Sequence, residues 1–247
     1  MRFPWLPMAV LAAALAWAPA WAATGLAKKV ESPISEPGAV ELEVRGGGYS
    51  GANRARVGKV EASRGLAENW RIAFLGEFEK EPGRDTRFDS LAFETVIGFG
   101  HALGFDTGIY LEYEQRLHNE SGVLEGKFLL ERKFGGLKTR ANFNAEQPLT
   151  KKDGEGALEF GYAGLALVEA IEHIEVGLEA HGDLGTSRHF GGRNAHFLGP
   201  AIRWETGEGE EAMGELELGV SYLFNVGDRS GSAPGALNFI VEWGAKF

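Results

Sequence analysis

The sequence predicts an all-β fold, a transmembrane antiparallel β-barrel of about twelve strands running up and down. Three observations predict it: a period-two alternation of apolar and polar residues from Gly38 to the chain end, connections alternating between short and long, and an N-terminal export signal. Alternate side chains of a strand face opposite sides of a sheet, so an unbroken period of two describes a wall with two different faces.

Residues 1–22 read as a cleavable signal peptide. Arg2 supplies a weak positive charge, residues 8–17 (MAVLAAALAW) form an apolar run, and Ala20-Trp21-Ala22 gives the small-x-small pattern that signal peptidase accepts. The run is too short for a membrane-spanning helix, which needs about 20 apolar residues. The mature chain is expected to start at Ala23 and to run 247 − 22 = 225 residues. Residues 23–37 are polar, carry Lys28, Lys29, Pro33 and Pro37, and have no sustained period. They are expected to be a flexible periplasmic lead-in to a barrel over 38–247.

The strands follow in order. Over 39–45, Val40, Leu42 and Val44 alternate with Glu41, Glu43 and Arg45; over 56–66 the pattern is weakest. Over 70–79, Trp70, Ile72, Phe74 and Phe78 oppose Arg71, Glu77 and Glu79. Leu91, Phe93, Ile97 and Phe99 alternate with Ala92, Glu94, Val96 and Gly98, and Phe105, Ile109, Leu111 and Tyr113 with Asp106, Gly108, Glu112 and Glu114. Stretches at 124–134, 157–166, 171–181 and 195–204 are less clean. Over 137–146, Leu137, Ala141 and Phe143 oppose Lys138, Arg140, Asn142 and Asn144. Leu216, Leu218, Val220, Tyr222 and Phe224 alternate with Glu215, Glu217, Gly219 and Ser221, and a last strand covers 236–247. Twelve is even, as expected of a single-chain bacterial barrel with both termini periplasmic.

A soluble sandwich also alternates. The connections separate the cases: those near 67–69, 101–104 and 135–136 are short, whereas those near 80–87, 115–122, 147–156 and 182–194 are longer and more polar. Short periplasmic turns with longer outer loops belong to membrane barrels. Two connections depart from that rule, a short one at 50–53 and a long one at 206–214.

At the chain end, Phe247 is preceded at steps of two by Ala245, Trp243, Val241, Phe239 and Leu237. This resembles the assembly signal of bacterial outer-membrane proteins. The resemblance implies the barrel-assembly machinery and outer-membrane lipid as partners, with Phe239, Val241, Trp243 and Phe247 carrying the signal. Over the whole mature chain the pattern is similar to small porin-like and transporter-like outer-membrane barrels, which implies transport of small solutes.

The polar phase is expected to face the lumen, because Arg or Lys facing lipid costs about 2–4 kcal/mol at the midplane. Candidate lumen-lining residues are Glu41, Glu43, Arg71, Glu77, Glu94, Glu112, Glu114, Lys138, Arg140, Glu175, Glu179, Glu215, Glu217 and Glu242, among which acids dominate. An acidic lumen favours cations. The formal charge of −10 argues against nucleic acid as a partner, since phosphate affinity comes mainly from Lys and Arg. The absence of cysteine excludes disulfides and thiolate sites.

No metal or cofactor is expected. His173 and His181 lie eight residues apart on one stretch, too far to share an ion at about 3.3 Å per residue. Ser187 lies near His189 and Ser121 near His118, but both pairs fall in connections, while Ser90 and Ser221 lack a neighbouring histidine. The function stays open between passive, cation-preferring passage of small solutes, a closed structural or surface-interaction barrel, and a membrane-embedded lipid hydrolase. Gly46-Gly47-Gly48 lacks the lysine and helix of a phosphate loop. Tyr49, Trp70, Tyr113, Trp204 and Trp243 are candidates for interfacial girdles.

Overall fold

Twelve antiparallel strands close on themselves. They are β1 (Ala39–Tyr49), β2 (Arg56–Ala67), β3 (Trp70–Lys80), β4 (Arg87–Ala102), β5 (Phe105–Arg116), β6 (Val123–Phe134), β7 (Leu137–Pro148), β8 (Glu159–Ile171), β9 (Ile174–Thr186), β10 (His196–Glu205), β11 (Glu215–Asn225) and β12 (Gly235–Lys246). This computed structural model describes residues 26–51, 56–81, 83–118, 120–149, 156–191, 194–206, 214–227 and 233–246. The expected signal peptide and Phe247 lie outside the described residues.

Each strand pairs with its sequence neighbours, and β1 pairs with β12 from Ala39↔Lys246 to Tyr49↔Ala236. Closure leaves no sheet edge, so backbone donors and acceptors find partners within the wall. One face of that wall is a band of exposed large apolar side chains, with Phe74, Leu91, Phe99, Phe143, Ile202 and Phe224 more than half exposed. So continuous an apolar surface suits lipid. Trp70 and Trp243 stand in this outward phase.

β8 and β9 extend past the stretches that the alternation marks. The turn between them falls at Glu172–His173, with His173 at φ 66°, so His173 sits in a turn and not on a strand face. The physical reason is local: Leu165 and Leu167 point inward and are buried, so both faces of β8 are apolar there and the alternation fades early.

The barrel has a near end, where β1 begins and β12 ends, and a far end. Four near-end turns are tight, with Asn69, Leu103, Gly135 and His173 at positive φ, whereas the fifth near-end connection, between Glu205 and Glu215, spans nine residues. The longer connections, including 81–86, 117–122 and 187–195, lie at the far end.

The largest departure from the sequence reading is residues 26–38. They form no lead-in outside the barrel; they thread its lumen lengthwise. Leu26 and Ala27 pack with Val57, Phe197, Leu223 and Ala236 toward the far end, and Val30 packs halfway with Ala163, Leu165, Leu167 and Ala201. At the near end the Asn69 amide donates to the Ser35 carbonyl (3.3 Å) and the Gly38 amide to the Gly65 carbonyl (2.9 Å), and the chain then reverses into β1. A strand period never develops, because the partners of this segment surround it on several sides.

The wall is thinned where the segment presses on it. A Cβ at Gly65 would lie 1.9 Å from the Glu36 carbonyl oxygen, and one at Gly98 2.5 Å from that of Pro33. At Gly47 it would lie 3.0 Å from the Ala27 amide nitrogen. Because Gly65 meets backbone, no side-chain rotation relieves the clash. Gly65→Ala is therefore expected to keep the barrel but to lower its stability in a urea titration by about 1–3 kcal/mol, the usual cost of overpacking. An unchanged urea midpoint would mean that the segment does not rest against this glycine.

Candidate functional site

The lumen face carries the chemistry. Cross-strand partners share a face, so the register fixes which residues meet: Glu43 lies opposite Glu61 on one side and Glu242 on the other, and Glu242 opposite Glu217. The fourteen candidate residues occupy this lumen-side phase. Glu41 and Glu43 stand on β1, Arg71 and Glu77 on β3, Glu94 on β4, Glu112 and Glu114 on β5, and Lys138 and Arg140 on β7. Glu175 and Glu179 stand on β9, Glu215 and Glu217 on β11, and Glu242 on β12. Their surroundings differ: Glu43, Arg71, Glu94 and Glu179 are buried, whereas Glu215 is exposed and forms no ion pair among the described residues.

The internal segment supplies many of their partners. Lys29 reaches Glu43 (2.5 Å) and Glu242 (2.7 Å), and Lys28 contacts Glu146 with Glu125 3.8 Å away. Glu31 is almost fully buried and meets Arg71 at 2.9 Å and Arg45 at 3.6 Å. Its amide donates to Asn142 Oδ1 (2.6 Å), and Asn142 Nδ2 donates back to its carbonyl (3.0 Å). Ser32 donates to Glu131 (2.6 Å), which also accepts from Arg140 Nε (2.8 Å). A buried charge is tolerated only when paired and hydrogen-bonded, and this segment meets that condition along its length.

Wall-to-wall pairs hold several of the other acids. Lys59 binds Glu77 (2.7 Å), Lys138 binds Glu175 (2.6 Å), and Arg203 binds Glu217 (3.0 Å) with Glu179 at 3.7 Å. Arg45 is the hub, within 4 Å of Glu31, Glu43, Glu61 and Glu94. Arg116 meets Glu114 at 3.2 Å, and the Tyr110 hydroxyl donates to Glu112.

Sequence reasoning missed Lys28, Lys29, Glu31 and Ser32 as lumen groups; the signal for them was the cluster of charge in a periodless stretch next to the first strand. Tyr49 also departs from expectation: it stacks on Phe197 at a centroid distance of 5.7 Å against the inner apolar cluster, not in an outer girdle. Trp243, Val241 and Phe239 stand on the outward face of β12, where the Phe239 ring covers Gly46.

A cavity of about 250 Å³ remains beside the segment in the far half, between Lys28 and Lys29 and the walls of β6 to β10. Among the described residues, no group of three or more His, Asp or Glu side chains is placed to hold a metal ion. His181 is buried inside the barrel and gives its Nε2 to Glu179 (2.7 Å), so the histidine–acid pair faces away from lipid.

No family model and no curated protein matches the chain. Among solved structures, an outer membrane channel from Pseudomonas putida F1 aligns with a TM-score of 0.62 at 10% identity, over 86% of this chain and 98% of that one. The fold is that of an outer-membrane β-barrel. A second match, to a structure from work on in-meso crystallization of membrane proteins, covers 84% of each chain at a TM-score of 0.47 and carries no argument. The first neighbour spans nearly its whole length on this barrel, so its likeness concerns the wall as a unit.

Proposed function

We propose that this barrel is a bacterial outer-membrane channel for passive passage of small solutes or ions, with cations preferred, and that residues 26–38 set the width of its path. The observation that carries the reading is the lumen itself: a charged interior with an excess of acids, threaded by one strand-free segment that is held by side chains. A barrel that served only as a scaffold has no need of so many buried charges, each of which is expensive unless paired. With both termini periplasmic, the far-end cavity opens toward the outside of the cell. The export signal, the outward apolar band and the outward Trp243 support an outer-membrane location reached through the barrel-assembly machinery.

Current through the refolded mature protein in a planar bilayer under a salt gradient tests this. Discrete steps with a cation-selective reversal potential are expected, because acidic lumen groups select by sign. Glu217→Gln, with Glu215→Gln beside it, is expected to shift the reversal potential toward zero. A folded, heat-modifiable barrel that passes no current, with or without residues 26–36, would sink the channel reading.

A further inference from the structure

Every lysine at the far-half cavity already has a carboxylate partner: Lys28 is held by Glu146 and Glu125, Lys29 by Glu43 and Glu242, and Lys127 lies 3.2 Å from Glu125 and over the Tyr110 ring. Both amide groups of interest are also engaged as donors, Asn142 to the Glu31 carbonyl and Asn144 to Glu146. What faces the cavity without a cation is Glu159 and Asp183, neither of which forms an ion pair among the described residues; Asp183 only accepts the Gly185 amide through one oxygen.

A second observation points the same way. His181 lines this cavity, is 97% buried in its side chain, and has no hydrogen bond at Nδ1. Its Nε2 faces the Glu179 carboxylate, which can only accept, so Nε2 carries a hydrogen and Nδ1 is left as a buried polar atom beside the cavity. Glu125 Oε1 is likewise buried without a hydrogen bond. Glu125 Oε1 is an unfilled acceptor, and Glu159 and Asp183 add two carboxylates with no ion-pair partner among the described residues. The Tyr49–Phe197 stack adds an aromatic wall, a surface that attracts cations.

We infer that this cavity is a binding site for a small organic cation with several N–H donors, an alkylammonium, held by Glu159 and Asp183 at its rim and by the aromatic pair within. The inference rests on the channel reading, since it names the solute class that enters the far end. A volume of about 250 Å³ matches about eight waters at roughly 30 Å³ each, which suits a short chain rather than a sugar oligomer.

The test is calorimetric titration of the folded, detergent-solubilised mature protein with n-butylammonium, and separately with butyrate. Saturable binding of the ammonium and none of the carboxylate is expected. The Glu159→Gln/Asp183→Asn double variant, whose changes lie at the exposed rim, is expected to lose about tenfold in affinity. Equal binding of the two probes, no binding of the ammonium, or unchanged affinity in the double variant overturns the site. Bilayer currents on the same preparation separate the two readings. Binding without current keeps the site and removes the channel, whereas current without binding keeps the channel and removes the site.

Discussion

Deleting residues 26–36 is expected to raise single-channel conductance several-fold while the barrel still closes. Closure depends on the β1–β12 ladder, which runs from Ala39 to Tyr49 and uses no residue of the segment. The segment instead occupies the axis, from the Leu26 niche near Phe197 to the Ser35–Asn69 contact at the opposite end. Taking it away frees the path between Arg45 and Asn142, now bridged by Glu31. It also releases Glu43, Glu242 and Glu146 from Lys29 and Lys28, which makes the open lumen more acidic. Conductance and cation selectivity should therefore rise together. Planar-bilayer recordings of the deletion beside the full mature chain read both quantities, and heat-modifiable migration shows that the barrel has formed. Equal conductance would mean that solutes never followed the axis.

A narrower change addresses the same hinge of the lumen. Glu31→Gln keeps the backbone bonds to Asn142 but removes the charge that Arg71 and Arg45 share. The segment should then leave the axis more often, so recordings are expected to show brief openings to the level of the deletion. A trace as steady as that of the unaltered protein would place the holding force elsewhere, in the Lys28 and Lys29 contacts.

The wall was legible in the sequence because lipid on one side and charge on the other impose a period of two, residue by residue. Glu41, Glu43 and Glu242 declare their face through Leu42, Val44 and Val241 beside them. β8 was legible only in part, since Leu165 and Leu167 are buried inward and erase the contrast between faces. The segment at 26–38 was hidden for a deeper reason. Its side chains meet partners on strands as far apart as β1, β3, β6, β7 and β12, so no local period can describe it. Proline at 33 and 37 and the adjacent lysines read equally well as a solvated tail. Beside that cluster of charge, the glycines at 47, 65, 98 and 108, all on the lumen face, hinted that something pressed on the wall, and strand glycines have many other causes.

Arg45→Met is expected to be the most destabilising single change in the wall. Arg45 is buried and stands within 4 Å of four carboxylates, Glu31, Glu43, Glu61 and Glu94, all of them buried. Methionine fills much of the same volume, so the loss is one of charge and not of packing. Removing one partner of a buried ion pair costs about 3–5 kcal/mol, because the other charge stays behind without compensation. Here several acids share one guanidinium, and like charges within a few ångströms repel strongly at low effective dielectric. The urea midpoint of the refolded protein should fall accordingly, and acidification should restore part of the loss, since a protonated carboxyl needs no counter-charge. Arg45→Lys should lie between the two, because an ammonium keeps the charge but lacks the planar fork that reaches several carboxylates at once. If Arg45→Met unfolds at the same urea concentration as the unaltered protein, the lumen acids are held by solvent and not by this residue, and the cluster is wetter than its burial implies.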